Sequence, residues 1–333
     1  MKIFITGLAG FLGSHLADRF IELGHTVLGN DTLIGGYRDN VPKKAELFVV
    51  DCCDNEMMAK IMEGCDIVVH TAATAHEGLS VFSPSFITRN IFEASVSAIS
   101  AAIQNKVKRF VYCTSMARYG DQEAPFNETM SPRPVDPYGI AKVAGEEVLK
   151  ALCETHGMEW NIAVPHNIVG PRQRYDDPFR NVMSIMINRN LQGKPAIIYG
   201  DGQQTRCFSY VGDCINCLEK MALDPNIVGE IINIGPDEGT ITVAKLASLV
   251  AVECAIDLAP IHMPDRPREV KHASCTADKA RKLLNYETKT TLEKAIQETV
   301  AYVRNKGPKP FDYTYPLEII SDKTPRTWKD RLM

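Results

Sequence analysis

The stretch Lys2-Ile3-Phe4-Ile5-Thr6-Gly7-Leu8-Ala9-Gly10-Phe11-Leu12-Gly13-Ser14-His15-Leu16-Ala17 decides the fold. It opens on an apolar run of strand length, and from Phe11 its apolar residues recur at helical spacing. Gly7, Gly10 and Gly13 stand between, so a strand runs into a glycine turn that opens a helix. Such glycines let the backbone turn tightly and approach a pyrophosphate, while the helix N-terminus offers unpaired N–H groups and a positive dipole end. Three glycines alone equally suit a plain tight turn. The context points to a dinucleotide: the second strand ends at Asp31, roughly 20 residues on, where a carboxylate can take the adenosine ribose hydroxyls. That acid also repels a 2′-phosphate, so NAD is expected rather than NADP.

Outward from the turn, the pattern repeats. Ile3–Thr6, Thr26–Asn30, Leu47–Val50, Ile67–His70, Arg109–Thr114 and Asn161–Val164 read as buried strands. Phe11–Leu23, Asn55–Met62, Phe86–Asn105 and Pro137–His156 read as helices between them. This alternation gives an α/β fold with a doubly wound parallel Rossmann sheet. Residues 1–165 form the cofactor domain, with 207–235 returning to it. Residues 166–333, where Gly and Pro punctuate shorter segments, form a smaller interleaved substrate domain and a C-terminal extension. The extension from Gly307 is rich in Pro, Tyr and charge and has no period.

Composition narrows the function. Net charge is −4 over 333 residues, which excludes a strongly basic nucleic-acid binder. No apolar run reaches the roughly 18 residues of a membrane span, and the N-terminus lacks the pattern of a signal peptide. The ten cysteines are scattered through strand-like and helix-like runs, as reduced thiols in a cytoplasm would be. Cys214-Ile215-Asn216-Cys217 has the spacing of a metal knuckle, but no second pair follows, so no metal site is expected. His76-Glu77 falls in a loop expected to flank the substrate and does not by itself make a zinc site.

Further stretches match in order: Asp31-Thr32-Leu33, His70-Thr71-Ala72-Ala73, Tyr138-Gly139-Ile140-Ala141-Lys142, Asn167-Ile168-Val169-Gly170-Pro171-Arg172, Gly200-Asp201-Gly202-Gln203-Gln204-Thr205-Arg206, and Arg266-Pro267. With the GxxGxxG spacing, the chain over about 1–305 resembles the extended short-chain dehydrogenase/reductases that act on nucleotide sugars, in particular the UDP-glucose 4-epimerase-like members. Gly7, Gly10, Phe11, Leu12, Gly13, Asp31, Asp51, Cys52, Ala72, Ala73, Tyr138 and Lys142 are the expected NAD-binding residues.

Tyr138 and Lys142 are four apart, on one face of a helix that Pro137 starts. A free phenol titrates near ~10. An ammonium within ~4 Å is worth roughly 4 kcal/mol at an effective dielectric near 20, enough in principle to draw the phenol toward a working base. Ser115, at the end of the preceding strand, would bond the substrate oxygen, and the resemblance assigns the same catalytic roles to Ser115, Tyr138 and Lys142. In the family's 4,6-dehydratases an Asp and a Glu follow the Ser/Thr, where this chain has Met116 and Ala117. The relatives that epimerise C3 or C5 carry a Cys that is missing here. Oxidation, rotation of the ketone and re-reduction remain: a 4-epimerase, with a UDP-sugar favoured.

The resemblance also implies substrate binding by Ser115, Met116, His166, Asn167, Arg206 and Arg266, the two arginines gripping the diphosphate through planar forks. His166 is expected to face the sugar pocket or to be packed and hydrogen-bonded in the interior, and Arg118 to touch substrate or solvent. The long apolar faces of Phe86–Asn105 and Pro137–His156 imply a homodimer, as in relatives. Two alternatives stay open: a 4-keto-sugar reductase or dehydrogenase using NAD(P), and a non-catalytic NAD-binding module.

Overall fold

The apolar runs become strands buried on both faces, as a parallel sheet covered by helices requires. The computed structural model describes residues 1–333. Its central sheet comprises β1 (Lys2–Thr6), β2 (Thr26–Asn30), β3 (Glu46–Phe48), β4 (Ile67–His70), β5 (Arg109–Cys113), β6 (Glu159–Pro165) and β7 (Glu230–Ile234). All seven run parallel in the order β7-β6-β5-β4-β1-β2-β3. The strand order reverses between β1 and β4, and ligands of open α/β sheets bind in the crevice beyond such a switch point.

The helices include α1 (Phe11–Glu22), α2 (Asn55–Ile61), α3 (Glu77–Ser80), α4 (Ala94–Gln104), α5 (Pro137–His156), α6 (Val182–Leu191), α7 (Val211–Leu223), α8 (Val243–Cys254) and α9 (Leu292–Lys306). One face of the sheet packs Ile3, Ile5, Val69 and Val111 against Leu16 and Phe20 of α1 and Cys214 and Leu218 of α7. The other packs Phe4, Val68, Phe110 and Ile162 against Met58 of α2, Ala98 of α4 and Leu149 of α5. The helix read from Phe86 begins at Pro84 and passes through a wide π turn at Arg89–Glu93 before α4. Beyond Pro165, α6, α8 and α9 build a separate core around Met183, Leu246 and Val300, while α7 and β7 return to the sheet.

Local signals explain the bounds of α5. Asp136 caps it by accepting from the Gly139 N–H at 2.9 Å, Pro137 fills the first turn, and Gly157 ends it in the left-handed region. Cys214 and Cys217 both point into the core, and none of the ten cysteines forms a disulfide. No helix is long and apolar enough to cross a membrane.

The segment after Gly307 crosses from one layer to the other. Tyr315 and Trp328 pack with Leu79, Phe82, Ile87 and Phe179. Glu318 accepts from the Ser85 and Phe86 N–H groups at 2.9 and 2.8 Å. Tyr199, on the far side, bonds Thr327 at 2.5 Å.

Candidate active site

A cleft of about 450 Å³ lies beyond the carboxyl ends of the strands, between the sheet and the second layer. Its floor is the glycine turn. Gly7 has φ +72° and a Cβ there would sit 3.0 Å from the Ala72 backbone; a Cβ at Gly13 would lie 2.3 Å from the Gly7 carbonyl oxygen. No side chain fits at either position, so the β1 and β4 loops close together and leave α1 pointing its N-terminus into the cleft. Gly10, Phe11, Leu12, Asp51, Cys52, Ala72 and Ala73 line the same end.

Asp31 stands where the ribose acid was expected, accepting from the N–H groups of Ala9 at 3.0 Å and Leu33 at 2.7 Å. Burial pushes its carboxyl up from the ordinary value, opposed by those two bonds. Asp51 accepts from the Cys53 N–H at 2.9 Å and pairs with Arg89 at 3.0 Å. The turn, the backbone-fixed acid and the close strand loops fit an NAD dinucleotide, whose pyrophosphate the α1 N-terminus would hold and whose adenosine ribose Asp31 would take.

In the middle of the cleft β5 delivers Ser115 and the first turn of α5 delivers Tyr138 and Lys142. The Ser115 hydroxyl lies against the Tyr138 phenol. Burial raises the phenol pKa above its ordinary value, and Ser115 counters that rise. Lys142 makes no direct hydrogen bond to the phenol. Its Nζ donates to the Cys113 carbonyl at 2.8 Å and sits 5.2 Å over the Tyr112 ring. The carbonyl at the end of β5 lies within reach of this ammonium, and a buried charge is held by such a direct hydrogen bond. Burial lowers the lysine to about 8, while Cys113 and Glu146 oppose the shift.

The far end carries Asn167, Arg206 and Arg266. Asn167 donates to the Cys207 carbonyl at 3.1 Å. Arg266 grips Glu269 through Nε at 3.2 Å and Nη2 at 2.9 Å, and stacks 4.6 Å over the Tyr199 ring. Arg206 donates to the carbonyls of Thr205, Lys271 and Val270 and lies 3.7 Å from Glu269. Two arginines are thus held side by side with one acid between them, the charge pattern that suits a diphosphate.

Three expected residues fall elsewhere. His166 is fully buried among Cys207, Ser209 and Gly235 and does not line the cleft; the strand-end twist at β6 turns it into the core. Burial lowers it to about 3. Met116 packs against the sheet's helical face, outside the cleft. Arg118 touches neither cleft nor solvent, because Glu146 of α5 pairs with it at 3.0 Å inside the protein.

Four residues enter that sequence reading did not assign: Glu77, Arg180, Tyr199 and Tyr315. Arg180 donates to the Gly35 carbonyl at 3.0 Å and lies 3.6 Å from Asp177. His76, the neighbour of Glu77, forms a fully buried pair with Asp177 at 2.7 Å. The adjacency of His76 and Glu77 was the one available signal; Arg180 and Tyr315 reach the cleft only through long-range folding.

The comparisons agree with this geometry. The family model of the NAD dependent epimerase/dehydratase family matches residues 3–235. An uncharacterized UDP-glucose epimerase of Bacillus subtilis is 31% identical over 317 residues, covering 91% of this chain and 98% of that one. The solved UDP-glucose 4-epimerase of Thermotoga maritima, with UDP-glucose, superposes with a TM-score of 0.87 at 31% identity, over 92% of this chain and 99% of that one. UDP-glucuronic acid 4-epimerase from Bacillus cereus, in complex with UDP-glucuronic acid and NAD, superposes with a TM-score of 0.84 at 26% identity, over 92% and 100%. Glycine turn, acid, Ser–Tyr–Lys set and sequence likeness along nine-tenths of its length place the chain in the NAD dependent epimerase/dehydratase family.

Proposed function

We propose that the protein is a nucleotide-sugar 4-epimerase that retains NAD and acts on a UDP-sugar. The observation that carries this reading is one of placement. Ser115 and Tyr138 line one cleft together with a dinucleotide cradle and the Arg206–Arg266 pair, as a sugar whose diphosphate meets the arginines and whose ring reaches the phenol requires. UDP-sugars are the ligands of the similar Thermotoga and Bacillus cereus enzymes.

The glycine turn and Asp31 would hold NAD, which would supply a reversible acceptor for the hydride of the sugar C4. The chain supplies everything else. Ser115 holds the C4 oxygen, and Tyr138 takes its proton as the ketone forms and gives it back after the sugar turns over. Lys142 keeps a positive charge beside the Cys113 carbonyl, under the site, and favours the phenolate. Water elimination needs an acid and a base beyond Ser115, and neither Met116 nor Ala117 supplies one. A net reductase would use the same three residues; Asp31, which disfavours a 2′-phosphate, tilts the reading toward retained NAD.

We also propose a cytoplasmic homodimer through Pro84–Gln104 and α5, whose Ile140 remains 54% exposed. The test of the enzyme reading is Tyr138→Phe. It is expected to lose C4 inversion by about 1,000-fold while still carrying NAD and binding UDP-sugar. Full activity without the phenol would overturn it.

A further inference from the structure

Glu77 projects its carboxylate into the cleft from the first residue of α3. Its side chain is exposed, and it lines the cleft alongside Tyr138, Arg206 and Arg266. Its backbone is pinned on both sides: His76 is buried against Asp177, and the Ser80 hydroxyl donates to the Glu77 carbonyl at 2.6 Å. The carboxylate itself makes no hydrogen bond and no ion pair. A side chain held so firmly and left without a partner faces whatever the cleft receives.

What it receives follows from the two ends. The phenol of Tyr138 feels the Glu77 charge from one side, and Arg206 and Arg266 face it from the other. A Cβ on the next residue, Gly78, would lie 3.5 Å from Arg266. The group that joins a diphosphate at the arginines to a reacting carbon at Tyr138 is the glycosyl ring, so Glu77 borders the ring. A carboxylate there accepts hydrogen bonds from hydroxyl or amide N–H donors, and a second carboxylate beside it meets like charge.

Resting on the epimerase reading, we infer that Glu77 selects the sugar: it accepts hydrogen bonds from a neutral UDP-hexose or UDP-N-acetylhexosamine and excludes a UDP-uronate. The overall fold does not make this choice, since the similar solved enzymes include one with UDP-glucose and one in complex with UDP-glucuronic acid. The protein walls of the cleft lift the Glu77 carboxyl to about 7; Asp136 and Glu269 add to the rise and Arg206 and Arg266 oppose it. The exclusion therefore strengthens as pH climbs through 7 and the acid ionises. Tyr138, Asp136, Arg206, Arg266 and Glu269 are the charged or titratable groups that face it.

The experiment compares UDP-glucose, UDP-N-acetylglucosamine and UDP-glucuronate on the NAD-loaded protein, by C4 inversion and by calorimetric binding, at pH 6 and pH 8. Wild type is expected to favour the neutral sugars about 100-fold in kcat/KM at pH 8 and less at pH 6. In Glu77→Gln the preference should fall to about 5-fold or less and lose its pH dependence. Glu77→Ser serves if the glutamine variant unfolds, with NAD content and thermal unfolding as the check on both. Equal use of UDP-glucuronate by wild type, or an unchanged preference in both variants, overturns the inference and leaves the epimerase reading standing. Failure to invert any of the three overturns that reading, and the binding comparison still decides the role of Glu77.

Discussion

Lys142 shows what a working residue costs the fold. It is 2% exposed, and burial lowers its pKa to about 8 from an unfolded value of 10.5. Below about pH 8 both folded and unfolded chains hold the proton, so the penalty of the buried charge is present in full. Between 8 and 10.5 only the unfolded chain holds it, and stability rises with pH. Lys142→Met should therefore raise the unfolding free energy at pH 7, by about 2 kcal/mol, while cutting kcat about 100-fold. Chemical denaturation beside steady-state kinetics checks both, and a destabilised variant would contradict the charge argument. At this scale the sequence was readable where spacing carries the chemistry: Tyr138 and Lys142 share a helix face because they are four apart. It was misleading where a partner came from afar. Arg118 is taken by Glu146, and His166 turns inward. No local pattern announces either event.

Among elements, the segment from Gly307 changes the picture most. Without a hydrophobic period it gave no expected element, because its order comes from packing onto other parts rather than from its own hydrogen bonds. Tyr315 lies tilted against His76 with centroids 4.7 Å apart and donates to the Ile34 carbonyl at 3.1 Å; Trp328 lies edge-on to Phe82 and Phe179. The strap thus ties the β2 loop and α3 to the second layer and walls the cleft beside Glu77. Trp328→Ala removes a fully buried ring and should cost about 3 kcal/mol in unfolding free energy. An unchanged denaturation midpoint would show that the strap does not hold the layers. By contrast, α5 was legible to the residue, since Asp136, Pro137 and Gly157 mark both its ends.

For the molecule as a whole, the doubly wound sheet was readable because buried parallel strands are continuous apolar runs. The return of β7 was visible only as a range, 207–235, because strand pairing across that distance leaves no periodic trace. The buried interior also sets an acid limit. His70 and His166 are both lowered to about 3 by burial, so they stay neutral in the fold while the unfolded chain protonates near 6.5. Stability is then complete above pH 6.5 and falls as pH drops toward 3, by about 1 kcal/mol per histidine for each unit below 6. Thermal unfolding from pH 8 to pH 5 should show a flat region and then a decline; no decline would contradict neutral burial. The most direct test of the central claim uses protein purified with no added cofactor. Incubated with UDP-glucose or UDP-N-acetylglucosamine and followed by proton NMR, it should bring the sugar to a mixture of C4 epimers with no accumulation of reduced cofactor. A sugar left unchanged, or turnover that occurs only as added NADPH is consumed, would contradict the account.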